Sequence, residues 1–483
     1  MSKLFAIGFT LFAIFCGPCQ AAKIPCYAWL SGPGTATDKD LEARFTDLKR
    51  KGIDGVLYSA GHDPETYRRI GKIVKAAGME FHAWIPTLIQ QNDPKLKHDW
   101  YALNGLGQSA YDKPAYVNYY LFLCPNREEV YLYLADLYGR VAEVPEVDGI
   151  HLDFIRFPDV ILARGLWKKY GLVMDREYPQ FDYCYCDKCV SDFKAQTGLD
   201  IRTVKDPSKV EEWKRFRYDL ITKLVNRLAK DVRSKGKRIT AAVFPGPNSV
   251  ARKIVRQEWD KWDLDAFFPM NYNDLYLEGT KWIGAMCKEA VTALHNRRPV
   301  FSGLFICPDP AKKAGEPDPE NHGLVPEELE AAIRESMENG AAGICLFTPD
   351  RMTEAHWAVF EKAIHGRSTL VPANRSSIAL LAGVGCDHED NPAGIIDFIK
   401  KPESSDPIPP SFRLISFEFF DVSAEKRLRP KLGIDVVTQS GGHLFVALPK
   451  VCLKVGLELL RLEYPVFTQQ SAPGPSWPED ARF

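Results

Sequence analysis

The chain has 483 residues, 45% of them hydrophobic and 26% charged, with a formal net charge of −1. This is ordinary globular composition, and the length allows two or three domains or one α/β barrel with chain to spare. There is no large basic block, so neither nucleic acid nor an anionic membrane surface is an expected partner.

Residues 1–21 read as a signal peptide: Lys3 precedes an apolar run from Leu4 to Phe15, and Cys19 and Ala21 are the small residues before the cut. The run is too short to span a bilayer comfortably, so no stable membrane insertion is expected beyond a lipid anchor on Cys16 or Cys19. Export to the periplasm, the cell surface or the medium, in the bacterial manner, is the expectation. A first strand covers 24–30, and Thr37-Asp38 can cap a helix that Gly52 stops. A second strand covers 53–59, a second helix opens at Asp63-Pro64, and a third strand runs 79–86. Residues 87–120 form a long loop with Trp100, Tyr101, Asn104, Tyr111 and Tyr116, and such a loop leaving a strand usually makes a site wall. A helix over 125–144 feeds a fourth strand.

Residues 159–205 are an insertion rich in aromatics. Beyond it the spacing predicts a helix over 210–235, a fifth strand over 238–244, a helix over 249–259 and a sixth strand over 264–272. A helix over 279–295, a seventh strand over 299–306, a helix over 325–339, an eighth strand over 342–347 and a closing helix over 353–364 follow. Eight strands alternating with helices from about 24 to 366 read as an α/β fold, a (β/α)₈ TIM barrel with a long insertion after strand four. The runner-up is an open doubly wound sheet, but no Gly-x-Gly-x-x-Gly turn supports it. Residues 367–483 hold Pro-rich stretches and two strand-like runs, 412–422 and 442–448, read as a small β module or a poorly ordered tail.

The chemistry gathers at strand ends, where a parallel barrel keeps its site. In the fourth strand Ile150, Leu152 and Phe154 alternate with His151 and Asp153, and Pro158 stops it. Asp153 is the first candidate acid. Asp274, just past strand six, leads as the second, followed by Asp350 after strand eight and the loop residue Asp309. His82 and Trp84 on strand three, His151 and Arg156, and Asn271 and Tyr272 on strand six are candidates for binding substrate. Aromatic faces stack on the apolar side of sugar rings, and polar groups bind their hydroxyls. The bland readings are barrel-core histidines, core-packing Trp84 and Tyr272, an Arg156 that only neutralises Asp153, and an Asp350 that caps the last helix.

Asp148-Gly149-Ile150-His151-Leu152-Asp153-Phe154-Ile155-Arg156-Phe157-Pro158 resembles the "DGIHLDYIRYP" stretch of the glycoside-hydrolase-like 10 proteins, a group of exported bacterial barrels. Phe81-His82-Ala83-Trp84 and Phe268-Pro269-Met270-Asn271-Tyr272 resemble their third and sixth strands. The resemblance spans roughly 24–366. It implies a TIM-barrel glycosidase acting on a polysaccharide or oligosaccharide, with Asp153 at the matching acidic position and no cofactor for catalysis. Two departures stand out: Phe154 replaces the second acid that many members carry there, and strand five ends in Phe244-Pro245-Gly246-Pro247-Asn248 with no Glu. These departures support an alternative, a non-catalytic carbohydrate-binding barrel. A third reading is a metal-dependent hydrolase with His82, His151 and Asp153 as ligands.

Among the twelve cysteines, Cys26, Cys287, Cys307 and Cys345 sit singly in apolar surroundings and read as buried thiols. Cys184, Cys186 and Cys189 are too close for mutual disulfides. They suit a structural Zn²⁺ site with a fourth ligand such as Cys124 or a His, with disulfides to distant partners as the alternative.

Overall fold

A computed structural model describes residues 23–32, 36–309, 311–315 and 323–365, with four short strands further on. The strands β1 (Cys26–Ser31), β2 (Gly55–Ser59), β3 (Glu80–Pro86), β4 (Gly149–Asp153), β5 (Arg238–Val243), β6 (Ala266–Pro269), β7 (Phe301–Phe305) and β8 (Gly343–Phe347) form one sheet in the order β6-β5-β4-β3-β2-β1-β8-β7. Every pairing in it is parallel. Parallel bridges Phe267↔Val300 and Met270↔Gly303 join β6 to β7 and close the ring. The helices are α1 (Asp38–Arg50), α2 (Pro64–Ala76), α3 (Glu128–Ala142), α4 (Trp167–Tyr170), α5 (Asp187–Thr197), α6 (Glu211–Ser234), α7 (Arg252–Val255), α8 (Thr280–Ala293), α9 (Pro326–Glu338) and α10 (Glu354–His365). This is the (β/α)₈ barrel that the alternation predicts.

Local chemistry places the elements. Thr37 and Asp40 cap α1 reciprocally, and Asp63 accepts from Glu65 N and Thr66 N to start α2, with Pro64 in its first turn. The helix expected over 249–259 is present but shorter and irregular: a wide helical turn over Pro247–Ala251 runs into α7, the helix ends at Arg256 (φ +60°), and a separate short turn follows at Trp259–Lys261. Glu258 accounts for the break. It is buried beside Arg215, Arg252 and Lys261, and the chain leaves the helix to bring it there.

Strand alternation sorts the residues into two cores. Ile150 and Leu152 join the layer between barrel and helices. Tyr27, Trp29, Leu57, Trp84, Phe268 and Phe301 pack inside the ring. Gly149 is required at its position, because a Cβ there would lie 2.6 Å from His82 Nδ1. The predicted tail segments contain strands at Phe419–Asp421 and His443–Val446, with partners at Lys426–Leu428 and Val436–Gln439. These belong to a second compact unit. The signal-peptide reading of residues 1–21 and most of 367–483 lie outside the described residues. No described helix is long and apolar enough to cross a membrane.

Candidate active site

Asp153 is the last residue of β4, paired with Pro86 at the C-terminal end of β3. Its carboxylate accepts from Trp84 Nε1 at 2.8 Å and from Phe154 N at 2.6 Å. The second bond needs a sharp turn directly after the strand, and Phe154 has φ +47°. A bulky residue in the left-handed region is strained, and such strain persists where the surroundings demand it. Both donors are neutral and the residue is 7% exposed. Burial therefore raises the Asp153 pKa to about 6, against the opposing pull of the two hydrogen bonds and the more distant Arg156.

Asp153 opens into a cavity of about 890 Å³ at this end of the barrel. Trp29 and Trp84 line it from β1 and β3, Tyr272 from just past β6, and Phe305 and Phe347 from the ends of β7 and β8. Tyr272 stacks on Phe347 with centroids 5.7 Å apart and planes 16° apart, and Phe305 stacks on Phe347 at 5.6 Å. Tyr116 and Tyr120 come from the long β3–α3 loop, and Leu162, Leu166 and Tyr170 from the insertion after β4. Polar groups are few: Asp153, Arg156, Asp159, Thr348, Asp350 and Arg351, with Ser31. Flat apolar faces with a few fixed polar groups suit a ligand with alternating CH and OH faces.

The structure divides the sequence candidates. Asp153, Trp84, Tyr272, Arg156 and Asp350 meet in the cavity lining, whereas His82, His151, Asn271 and Asp274 do not. His151 lies below Asp153 inside the ring, where Trp29 Nε1 donates to its Nε2 at 3.0 Å. Indole only donates, so Nδ1 carries the proton and gives it to Thr240 Oγ1 at 2.8 Å. Burial keeps this imidazole neutral, and it is a core histidine. His82 lies nearer the barrel's other end, 3.2 Å from Glu80 Oε1, with its pKa lowered to about 4 by burial. Asn271 faces outward, donating to Ser302 Oγ at 3.0 Å. Asp274 is held by Lys312 Nζ at 2.7 Å and by Gly323 N at 2.8 Å, so it ties down the β7–α9 connection away from the cavity. Asp309 does not line the cavity either.

Arg156 also differs from expectation. Its guanidinium pairs with Asp159 at 3.0 Å, not with Asp153, and it sits within 5.5 Å of the ring centroids of Tyr120, Phe122, Phe154 and Phe244. Asp350 does not cap α10. It lies at the cavity mouth in the turn Pro349–Arg351, where Arg44 holds both its oxygens at 2.6 and 2.8 Å. Of the loop aromatics, Tyr116 and Tyr120 reach the cavity, Trp100 and Tyr101 are buried in the core, and Tyr111 is 50% exposed.

Sequence reasoning missed Asp159, Trp29, Phe305 and Phe347. The last three alternate with the outward-facing Leu30, Leu304 and Leu346 on β1, β7 and β8, so period-two alternation carried their signal. Asp159 lies beyond the stop of the strand, and nothing local marks it. The metal-hydrolase ligand set is not assembled. Among the described residues, the one group of three or more His, Cys, Asp or Glu close enough to hold an ion is Cys124, Cys184, Cys186 and Cys189.

No protein-family model matches the chain, and no curated protein matches it. Solved structures do. The PgaB (BpsB) glycoside hydrolase domain from Bordetella bronchiseptica aligns with a TM-score of 0.53 and 12% identity, over 71% of this chain and 99% of that one. A beta-galactosidase from the psychrophilic Marinomonas ef1 aligns with a TM-score of 0.50 and 10% identity, over 71% of this chain and 59% of that one. The likeness is one of fold: the chain is built on the TIM barrel that glycoside hydrolase domains use.

Proposed function

We propose that this protein is an exported glycoside hydrolase that cleaves glycosidic bonds of a polysaccharide or oligosaccharide, with Asp153 as the proton donor. The observation that carries this is a carboxyl with a pKa of about 6 at a strand end, opening into an aromatic-lined cavity. A carboxyl in that range is protonated often enough near neutral pH to protonate a leaving oxygen, and Trp84 keeps it oriented. As the glycosidic bond breaks, positive charge grows at the anomeric carbon. An ionised carboxylate must stabilise it or activate water. Asp159 and Asp350 are the other two carboxylates in the cavity lining, and each is paired with an arginine, Arg156 and Arg44 respectively. The strand-four motif supports kinship with the glycoside-hydrolase-like 10 proteins, and the fold likeness to glycoside hydrolase domains is consistent with it.

The experiment is reducing-sugar release from a panel of polysaccharides by the wild type and by D153N, D159N and D350N. Asp153→Asn is expected to lower kcat by on the order of 10²–10⁴-fold. One of the other two variants is expected to lose a comparable amount, and that one is the partner acid. Undiminished turnover by D153N rules the mechanism out. A second reading, a carbohydrate-binding barrel, draws on the ion pairs that already occupy Asp159 and Asp350. Glycan binding by the wild type without release of sugar would establish it.

A further inference from the structure

Away from the cavity, Cys184, Cys186 and Cys189 close on a fourth thiol, Cys124, from a distant stretch of chain. All four sulfurs lie within 4.8 Å of one another and all four residues are buried. Cys124 Sγ is 3.6 Å from Cys186 Sγ and 3.5 Å from Cys189 Sγ, and all four are free thiols. A disulfide would need about 2.05 Å. Four sulfurs at about 2.3 Å around a tetrahedral ion lie roughly 3.8 Å apart. The backbone N–H groups of Leu103 and Cys186 approach Cys184 Sγ at 3.4 and 3.5 Å. Backbone N–H groups directed at a sulfur in this way are outer contacts that orient a metal-binding cysteine.

We propose that these four cysteines bind one Zn²⁺ as a closed tetrathiolate site, and that the ion clamps together two loops that build one wall of the cavity. A sulfur-only tetrahedron selects zinc or iron, and four protein ligands leave no open position for catalysis. Cys124 ends the β3–α3 loop that supplies Tyr116 and Tyr120, and the other three lie in the insertion that supplies Leu162, Leu166 and Tyr170. The loops also meet directly: Tyr185 N donates to Leu103 O at 2.8 Å, and Tyr116 Oη to Asp159 O at 2.6 Å. They meet again where Gly105 N donates to Pro179 O and in the Tyr116–Phe181 stack, and the ion would lock this junction without touching substrate. The site stands apart from the hydrolase reading and holds whether or not Asp153 is catalytic.

The test uses the full chain purified without added metal. Plasma emission is expected to find about one zinc per chain, and titration with a mercurial should release it in step with modification of the cluster thiols. A metal-free protein, an iron-loaded one, or a disulfide among these four cysteines in peptide mapping overturns the proposal. Cys186→Ser should lose the zinc while Cys287→Ser, outside the cluster, keeps it. If Cys186→Ser fails to fold, the wild-type titration decides alone. For the clamp, zinc extraction should speed amide exchange in 98–124 and 184–197 and leave β1 and β4 protected. Equal protection before and after extraction overturns that role.

Discussion

The two ends of the barrel each bury an acid among aromatic rings, yet they are chemically opposite. At the N-terminal end Glu80, 1% exposed, is met by the guanidinium of Arg238, the phenol of Tyr27 and the imidazole of His82. At the C-terminal end Asp153 is met by two neutral donors, and the cation that could have balanced it, Arg156, pairs with Asp159 instead. The first arrangement spends its charge on holding the fold. The second leaves a carboxyl poised between its two protonation states beside open space. A buried acid is thus not in itself a mark of catalysis; the charge of its partners and the space in front of it make the difference.

The largest effect that would sharpen this contrast is on stability at the closed end. Glu80→Gln removes the carboxylate buried against Arg238, Tyr27 and His82, and chemical denaturation should show a loss of about 2–4 kcal/mol. Turnover of the folded variant should stay near the wild-type value; a large fall in turnover would break the division of labour between the two ends.

At the open end the sign reverses. An unfolded Asp titrates near 3.9, whereas folded Asp153 titrates at about 6. The folded state therefore binds the proton more tightly, and stability falls as pH rises from about 4 to 6 and then levels off. Asp153→Asn lacks this penalty. It should be more stable than wild type at pH 7 by up to about 3 kcal/mol, with the gain vanishing near pH 4. Thermal unfolding across that range checks it, and a D153N protein less stable than wild type at pH 7 would contradict the raised pKa.

Smaller still is the role of the indole. Trp84→Phe keeps a ring but removes a donor that favours the ionised carboxylate, so the Asp153 pKa should climb further. The falling limb of the pH–rate profile should move to higher pH by about one unit or less, and a shift the other way would mean that Trp84 does not set this acid. The smallest change is expected from Asp274→Asn. Lys312 keeps Glu328 at 2.9 Å. The cost should be about 1 kcal/mol in stability, with turnover unaltered; a hundredfold loss of activity would restore Asp274 as a catalytic acid.

The legibility of the chain follows the same division. Strand and helix periodicity alone determined the eight-fold alternation, the strand-end position of Asp153 and the interior face that carries Trp84, because alternation is a local property of the backbone. The three clustered cysteines were equally plain from their spacing. Partner choice was not. That Asp274 would be caught by Lys312, and that Cys124 and not a His would complete the cysteine group, depended on which distant loops fold together. Although Asp159 is only three residues from Arg156, the strand pattern did not show that Arg156 would turn to it and away from Asp153. His82 and His151 share a strand face with Trp84 and Asp153, and only the depth of each residue along its strand separates core from cavity. Depth and long-range pairing are set by ring closure and loop packing, which no local pattern encodes, so the tertiary structure alone decided them.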